Sequence, residues 1–474
     1  MTSAGTAAAT LPENFLFGAA TAAFQIEGAH HTDGRTDSIW DTFCRVPGAV
    51  IDGHDGAVAC DHYHRYPDDV ALLAELGVGS YRFSTSWSRI QPDGGPVNPK
   101  GMDFYSRLVD ELLGRGIMPW LTLYHWDLPQ TLEDRGGWTQ RDTAELFRDY
   151  ALNVHDALGD RVRVWTTLNE PWCAAFLGYT AGVHAPGRQD VAAGLAAGHH
   201  LMLGHGLAVQ ALRDRDADLT LGVTLNLTPM TPVDPDDPAD VEAVRRLDGQ
   251  ANRFFLDPIM RGAYPDDVWS DLAGLGLADV VDDGDLEIIG SPIDALGINY
   301  YRGQAVSATP PRESVDGEAP TDRATSSPFP AAPHAYGHSQ GLPTTAMGWE
   351  IQPRGLTDIL HRVQHEYARA RGTALYVTEN GSAFDDVVEA DGRVADAGRT
   401  AYLLDHLRAV ADAIAEGTPV AGYFYWSLLD NFEWAWGYHK RFGIIRVDYD
   451  TQHRTVKDSG RAYAQVIATR MLPG

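Results

Sequence analysis

Two glutamates stand at the ends of strand-like runs. Thr166-Thr167-Leu168-Asn169-Glu170-Pro171 and Tyr376-Val377-Thr378-Glu379-Asn380-Gly381 share one shape: an apolar approach, a glutamate, then a turn. Each alone has a structural explanation. Asn169-Glu170-Pro171 fits a helix start, with a cap residue, an acidic first turn and an early proline. Asn380-Gly381 fits a tight turn. Taken together, they are two strand ends that each deliver a carboxyl group. Two carboxyls in one cleft can divide proton transfer and nucleophilic attack between them.

The two sites are far apart in sequence, so only the fold can pair them. Eight strand-like segments recur, at 15–18, 80–84, 118–124, 162–167, 221–225, 295–299, 375–378 and 420–426. Several are nearly continuous apolar runs, as expected of strands buried on both faces. Helical stripes separate them. Leu403, Leu407, Val410 and Ile414 follow steps of three and four, and Tyr105, Leu108 and Leu112 run into a Gly-Arg-Gly stop. Strands alternating with helices predict a single-domain α/β chain, a (β/α)8 TIM barrel, whose active sites lie at the C-terminal strand ends. A doubly wound sheet is the runner-up, but the Gly-rich turn favoured after its first strand is missing. Residues 1–12 read as a flexible N-terminal segment ahead of the barrel domain, 13–474. The Pro-, Ser- and Gly-rich stretch 306–345 reads as a long loop after the sixth strand.

Composition narrows the function. A 474-residue chain that is 44% hydrophobic can bury a large core. Its formal charge of −28 repels phosphate backbones and anionic lipid, which excludes nucleic acid as a ready partner. No stretch has the length of a membrane span, and the N-terminus does not read as a secretory signal. Three cysteines, Cys44, Cys60 and Cys173, are too few and too odd for a disulfide framework. The expected location is the cytoplasm. Only Lys100, Lys440 and Lys457 interrupt an otherwise all-arginine basic set.

The ordered blocks FLFGAATAAFQIEG, YRFSTSWSRI, LYHWDLPQ, TLNEPW, GINYY, MGWEI, YVTENG and WSLLDNFEWAWGYHKRFG run through almost the whole chain. This set resembles glycoside hydrolase family 1, the β-glucosidase family. The resemblance implies a retaining enzyme that removes terminal non-reducing β-D-glucosyl residues from small β-glucosides or cello-oligosaccharides, without metal or cofactor. Such chemistry needs two carboxyls roughly 5–5.5 Å apart. By match to the family, Glu379 is the nucleophile and Glu170 the acid/base. Arg82 matches the arginine beside the nucleophile, Tyr301 its hydrogen-bonding tyrosine, and Asn169 the residue on the sugar 2-hydroxyl. Gln25, His125, Trp126, Glu433 and Trp434 match positions that hold sugar hydroxyls. Trp426 resembles the platform under the ring, and Phe442 lines the same pocket. On the aglycone side the matches are Trp172, Asn226 and Trp349. Trp436 departs from the smaller or polar residue of many relatives. Glu433-Trp434 replaces the phosphate-binding pattern of the phospho-glycosidase branch, and Glu170 replaces the glutamine of myrosinase-like members.

Other signals lead elsewhere. Gly337-His338-Ser339-Gln340-Gly341 has the spacing of a serine-hydrolase elbow, but prolines flank it. Cys60, His62 and His64 would share one face of a strand and could ligate a metal, although no second cluster completes a tetrahedron. Asn226-Leu227-Thr228 and Asn380-Gly381-Ser382 fit glycosylation sequons. The alternatives are therefore a β-galactosidase, β-fucosidase or 6-phospho-β-glycosidase of the same family, a serine esterase on Ser339, and a sugar-binding barrel without chemistry. The oligomeric state stays open.

Overall fold

The computed structural model describes residues 9–312 and 320–473. Eight parallel strands close a barrel: β1 (Leu16–Ala20), β2 (Ser80–Ser84), β3 (Met118–Tyr124), β4 (Val164–Asn169), β5 (Thr220–Asn226), β6 (Ala295–Asn299), β7 (Ala374–Asn380) and β8 (Val420–Trp426). They pair in chain order, and β8 closes on β1 with Trp426 opposite Ala20. All eight expected strands are present. Helices on the outside include α1 (His62–Leu76), α2 (Pro99–Gly114), α3 (Arg141–Leu158), α4 (Val191–Arg215), α5 (Pro353–Val363), α6 (Ala397–Ala415) and α7 (Asp458–Thr469). The α2 stripe of Tyr105, Leu108 and Leu112 is buried, as are Leu403, Leu407 and Val410 of α6.

The inside of the barrel is a filled core. Trp120 packs edge-on against Tyr376 and Phe424, and its indole N–H donates to Thr166 Oγ1 at 2.8 Å. Gly18 of β1 makes room for this filling: a Cβ there would sit 2.2 Å from the Phe424 ring. Side chains that fill the barrel leave its C-terminal mouth as the place for a site.

Three local expectations change. Stretch 306–345 is not loop throughout. Gln304–Ser307 pairs antiparallel with Tyr336–His338 and parallel with Met230–Pro232, making a three-stranded sheet beside the barrel mouth. Strands this short carry no readable alternation. Residues 313–319 lie outside the described residues, as do 1–8 of the expected flexible segment. Ala9–Thr10 pairs with Met471–Leu472, and Leu11 is buried. Finally, Cys60-Asp61-His62-Tyr63-His64 is no strand. Asp61 turns left-handed (φ 51°) and α1 begins at His62, so alternation never applies. Cys60 donates to the Asp430 carbonyl, His62 pairs with Asp69, and His64 pairs with Asp61.

A buried ionic cluster braces the β8 side. The Lys457 ammonium, wholly buried, lies between Asp386 and Asp430 and donates to Asp430 Oδ1 at 2.7 Å. Arg441 takes the other Asp430 oxygen, and Arg399 joins Asp386 and Asp396. Lys440, by contrast, lies at the mouth: its ammonium sits 4.4 Å over the Trp436 ring and donates to the Ala346 carbonyl.

Candidate active site

Every strand sends a residue to the C-terminal mouth. Gln25 follows β1, Arg82 lies in β2, and His125 and Trp126 follow β3. Asn169 ends β4 with Glu170 directly after it, and Asn226 ends β5. Asn299 and Tyr301 leave β6, Glu379 lies near the end of β7, and Trp426 ends β8. A cleft of about 940 Å³ opens there. Both glutamates, Glu170 and Glu379, line it. So do the expected sugar-side residues His125, Trp126, Tyr301, Trp426, Glu433, Trp434 and Phe442. Trp172, Asn226 and Trp349 line its outer part, together with Trp436. Gln25, Arg82 and Asn169 are buried next to this lining without forming part of it.

The two glutamates share this cleft in different company. Arg82 Nη1 donates to Glu379 Oε1 at 2.6 Å, and Tyr301 Oη donates to Oε2 at 2.7 Å. Glu170 accepts from Asn299 Nδ2 at 2.7 Å on Oε1 and from Cys173 Sγ at 3.2 Å on Oε2. Thr378 Oγ1 donates to Asn299 Oδ1, which turns the amide's N–H groups toward the carboxyls. Burial raises both glutamates. For Glu379, Arg82, Tyr301 and Asn299 oppose that rise. For Glu170, burial and the charge of Glu379 push the carboxyl up to about 8. Two such groups titrate as a pair, and a single shared proton belongs on Glu170, the member without a cation in contact.

Asn169 is buried and fully engaged. Its Oδ1 accepts from Arg82 Nη2 at 2.6 Å and from Asn299 Nδ2 at 3.1 Å, and its Nδ2 faces His125 Nε2 at 3.0 Å. Gln25 Nε2 donates to Asn431 Oδ1 and to the Phe432 carbonyl, steadying the segment that carries Glu433. Gln25 Oε1, His125 Nδ1 and Glu433 Oε2 are buried without a hydrogen-bond partner in the protein. Unpaired buried polar atoms are costly unless a ligand satisfies them. Burial, with Glu379 and Glu170 nearby, pushes the Glu433 carboxyl up to about 8. Aromatic faces enclose the same space: His125 stacks on Trp426 at 5.7 Å, and Trp126 and Trp434 lie 4.5 Å apart. Trp126, Glu170 and Trp434 all have left-handed backbones, at φ 76°, 45° and 50°. Such strain costs on the order of 1–3 kcal/mol per residue and is characteristic of functional sites.

The outer cleft carries an apolar wall. Trp172 lies 5.4 Å from Phe329, and Leu177, Met230, Leu247 and Ala335 continue the wall. Trp349 packs near Tyr301 and Phe442. Asn299 and Cys173 were not among the residues expected from sequence. Asn299 lies inside the GINYY block, and Cys173 stands one helical step from Glu170. Ser339 lacks the company of a nucleophile: it is exposed, and its hydroxyl donates to Glu350 Oε1. The Asn380 amide is buried on the Tyr300 carbonyl, leaving no room for a glycan. Away from the cleft, Asp52, His54 and His439 bring ligand atoms within 4.8 Å of one another. The His439–Asp52 hydrogen bond and the Tyr438 N–H on His54 already account for that grouping.

Comparison with known proteins agrees with this geometry. The family model described as glycosyl hydrolase family 1 matches residues 7–471. A relative from Thermobispora bispora, named thermostable β-glucosidase B, is 51% identical over 97% of this chain and 90% of its own length. A Bifidobacterium breve protein named bifunctional β-D-glucosidase/β-D-fucosidase is 48% identical, covering 96% of this chain and 98% of its own. Among solved structures, a psychrophilic β-glucosidase from Micrococcus antarcticus superposes with a TM-score of 0.95 at 56% identity, covering 97% and 98% of the two chains. The family 1 β-glucosidase of Thermotoga maritima gives 0.90 at 44%, covering 98% and 100%. The chain belongs to glycosyl hydrolase family 1.

Proposed function

We infer that this cleft removes terminal β-D-glucosyl residues from small β-glucosides, with retention of anomeric configuration. The chain is a retaining β-glucosidase. The observation that supports the division of labour is the unequal company of its two buried glutamates. Glu379, held by Arg82 and Tyr301, is kept ionised and attacks the anomeric carbon. As the glycosidic bond breaks, Glu170 passes its proton to the leaving oxygen. The products are the free aglycone and a glycosyl ester on Glu379. Esterification removes the Glu379 charge, which lets Glu170 stay ionised. Glu170 then takes a proton from water, the water oxygen attacks the anomeric carbon, and the ester bond to Glu379 breaks. Asn299 touches both carboxyls and keeps them in register through both steps.

Gln25, His125 and Glu433 are assigned to glucose hydroxyls, because their unpaired polar atoms suit a neutral sugar. Trp426 and Trp434 provide the ring faces. Asn169 acts from behind, through Arg82 and His125. The apolar outer wall suits an aryl, alkyl or sugar aglycone, and cello-oligosaccharides are proposed among the substrates. No helix among the described residues is long and apolar enough to cross a membrane. All three cysteines are free and buried, which supports a reducing, cytoplasmic setting. Trapping with a 2-deoxy-2-fluoro-β-glucoside tests the assignment. The label is expected on the peptide bearing Glu379, and a label on any other residue overturns this division of roles. Turnover rates on β-glucoside, β-galactoside and β-fucoside then rank the sugars.

A further inference from the structure

Among the described residues the Glu170 carboxyl has two hydrogen-bond donors, one per oxygen. Asn299 serves Oε1, and the thiol of Cys173 serves Oε2 at 3.2 Å. Cys173 is 7% exposed and lines the cleft. It stands there by construction: the chain turns left-handed at Glu170, and the Cys173 N–H closes back on the Glu170 carbonyl at 3.0 Å. That turn starts the helical segment Cys173–Ala181 and folds residue 173 over the glutamate side chain three positions earlier.

We propose that Cys173 is a positioning residue for Glu170, its S–H holding Oε2 and favouring the ionised carboxylate that the second half of the reaction needs. This rests on Glu170 being the acid/base. A thiol suits the task because it is a weak donor and a weak acceptor. It can hold the carboxylate when Glu170 acts as base, yet it competes little for the proton when Glu170 acts as acid. Water could do the same only by entering a cleft wall that the sulfur now fills. The charged and titratable groups around Glu170 are Glu379, Glu433, Arg82 and Tyr301. Glu379 and Glu433 favour the neutral acid, and Arg82 favours the anion, so Cys173 and Asn299 join Arg82 on the anionic side.

Removing the donor therefore favours the protonated acid, and the sign is fixed for both half-reactions. In Cys173→Ala the alkaline limb of kcat/KM is expected to move up by on the order of half a pH unit or more. With an activated aryl glucoside, where deglycosylation limits turnover, the acidic limb of kcat is expected to move up as well, and kcat at neutral pH to fall several-fold. Cys173→Ser restores an O–H donor and should bring both limbs back toward the parent positions. A packing role alone would change thermal stability or KM and leave the limbs in place. Should Cys173→Ala not fold, Cys173→Val removes the donor while keeping the space filled, and the same limbs are read. Unmoved limbs in the folded donor-free variant overturn the proposal. Glu170→Gln, assayed on the activated substrate, separates this from failure of the acid assignment. If it abolishes the alkaline limb while Cys173→Ala does not move it, only the cysteine role falls. If the limb survives Glu170→Gln, both fall.

Discussion

Arg82 Nη1 lies 2.6 Å from Glu379 Oε1, and the two side chains are 1% and 3% exposed. A guanidinium this deep serves one carboxylate in particular. It also directs its Nη2 to Asn169, so the two strand ends that carry the glutamates meet at one cation.

Replacing Arg82 with Met should raise the proton affinity of Glu379. The acidic limb of kcat/KM moves to higher pH, because Arg82 now favours the anion. Breaking a buried pair costs about 3–5 kcal/mol. A fall of roughly a hundred- to several-thousandfold in kcat/KM, on the order of that cost, is expected. An unmoved limb would show that Arg82 does not set the charge of Glu379.

Glu170→Ala should discriminate between leaving groups. Substrates with good leaving groups need little protonation and should lose little in the first step, whereas alkyl glucosides and cellobiose should be nearly inert. Added azide should speed release of the glycosyl-enzyme and yield the β-glycosyl azide. Equal losses on both substrate classes would argue against Glu170 as the acid.

Phosphate at the sugar O6 should not be accepted. Charge repulsion by Glu433 is only part of the reason, because burial pushes that carboxyl up to about 8, and below that pH much of its charge is gone. What stands against phosphate is the rest of the wall: among the described residues Arg302 is the one Lys or Arg side chain in the lining itself, and Lys440 at the mouth is engaged by the Trp436 ring and the Ala346 carbonyl. Comparing kcat/KM for p-nitrophenyl β-glucoside and its 6-phosphate decides the matter. Preference for the phosphate would contradict the assignment of Glu433 and Gln25 to free hydroxyls.

Phe329→Ala should act on the aglycone alone. Losing an aromatic contact of roughly 0.5–1.5 kcal/mol should lower kcat/KM about two- to tenfold for aryl glucosides. Inhibition by a glucose-sized iminosugar should not change. A matching loss of iminosugar affinity would place Phe329 nearer the glucose ring than its contact with Trp172 implies.

Lys457→Met should destabilise the fold. Asp386 and Asp430 would keep their burial and lose their shared ammonium, at a cost of about 3–5 kcal/mol. A lower urea midpoint is expected. An unchanged midpoint would mean that Arg399 and Arg441 suffice for both carboxylates.

The barrel was legible because strands buried on both faces leave continuous apolar runs, and β2, β3, β6 and β8 fall on the expected bounds. The three-residue strands around Gln304–Ser307 were not legible, since a period of two needs more residues to declare itself. The glutamates could be found because each ends such a run. Their partners divide differently. Arg82 stood out as a cation inside an apolar strand. Asn299 did not, because its role depends on Thr378 turning its amide and on two carboxyls brought from β4 and β7. The expected strand at Cys60 failed because one left-handed residue, Asp61, restarts the chain as helix.

The placement of the three lysines has a practical side. Lys457 is wholly enclosed and Lys440 is half-buried at the cleft mouth, whereas Lys100 is 73% exposed. Amine-reactive dyes, cross-linkers and resin chemistries should therefore find one open lysine side chain. Lys100 belongs to α2, on the outside of the barrel, so conjugation there gives a nearly uniform product with its cleft unobstructed.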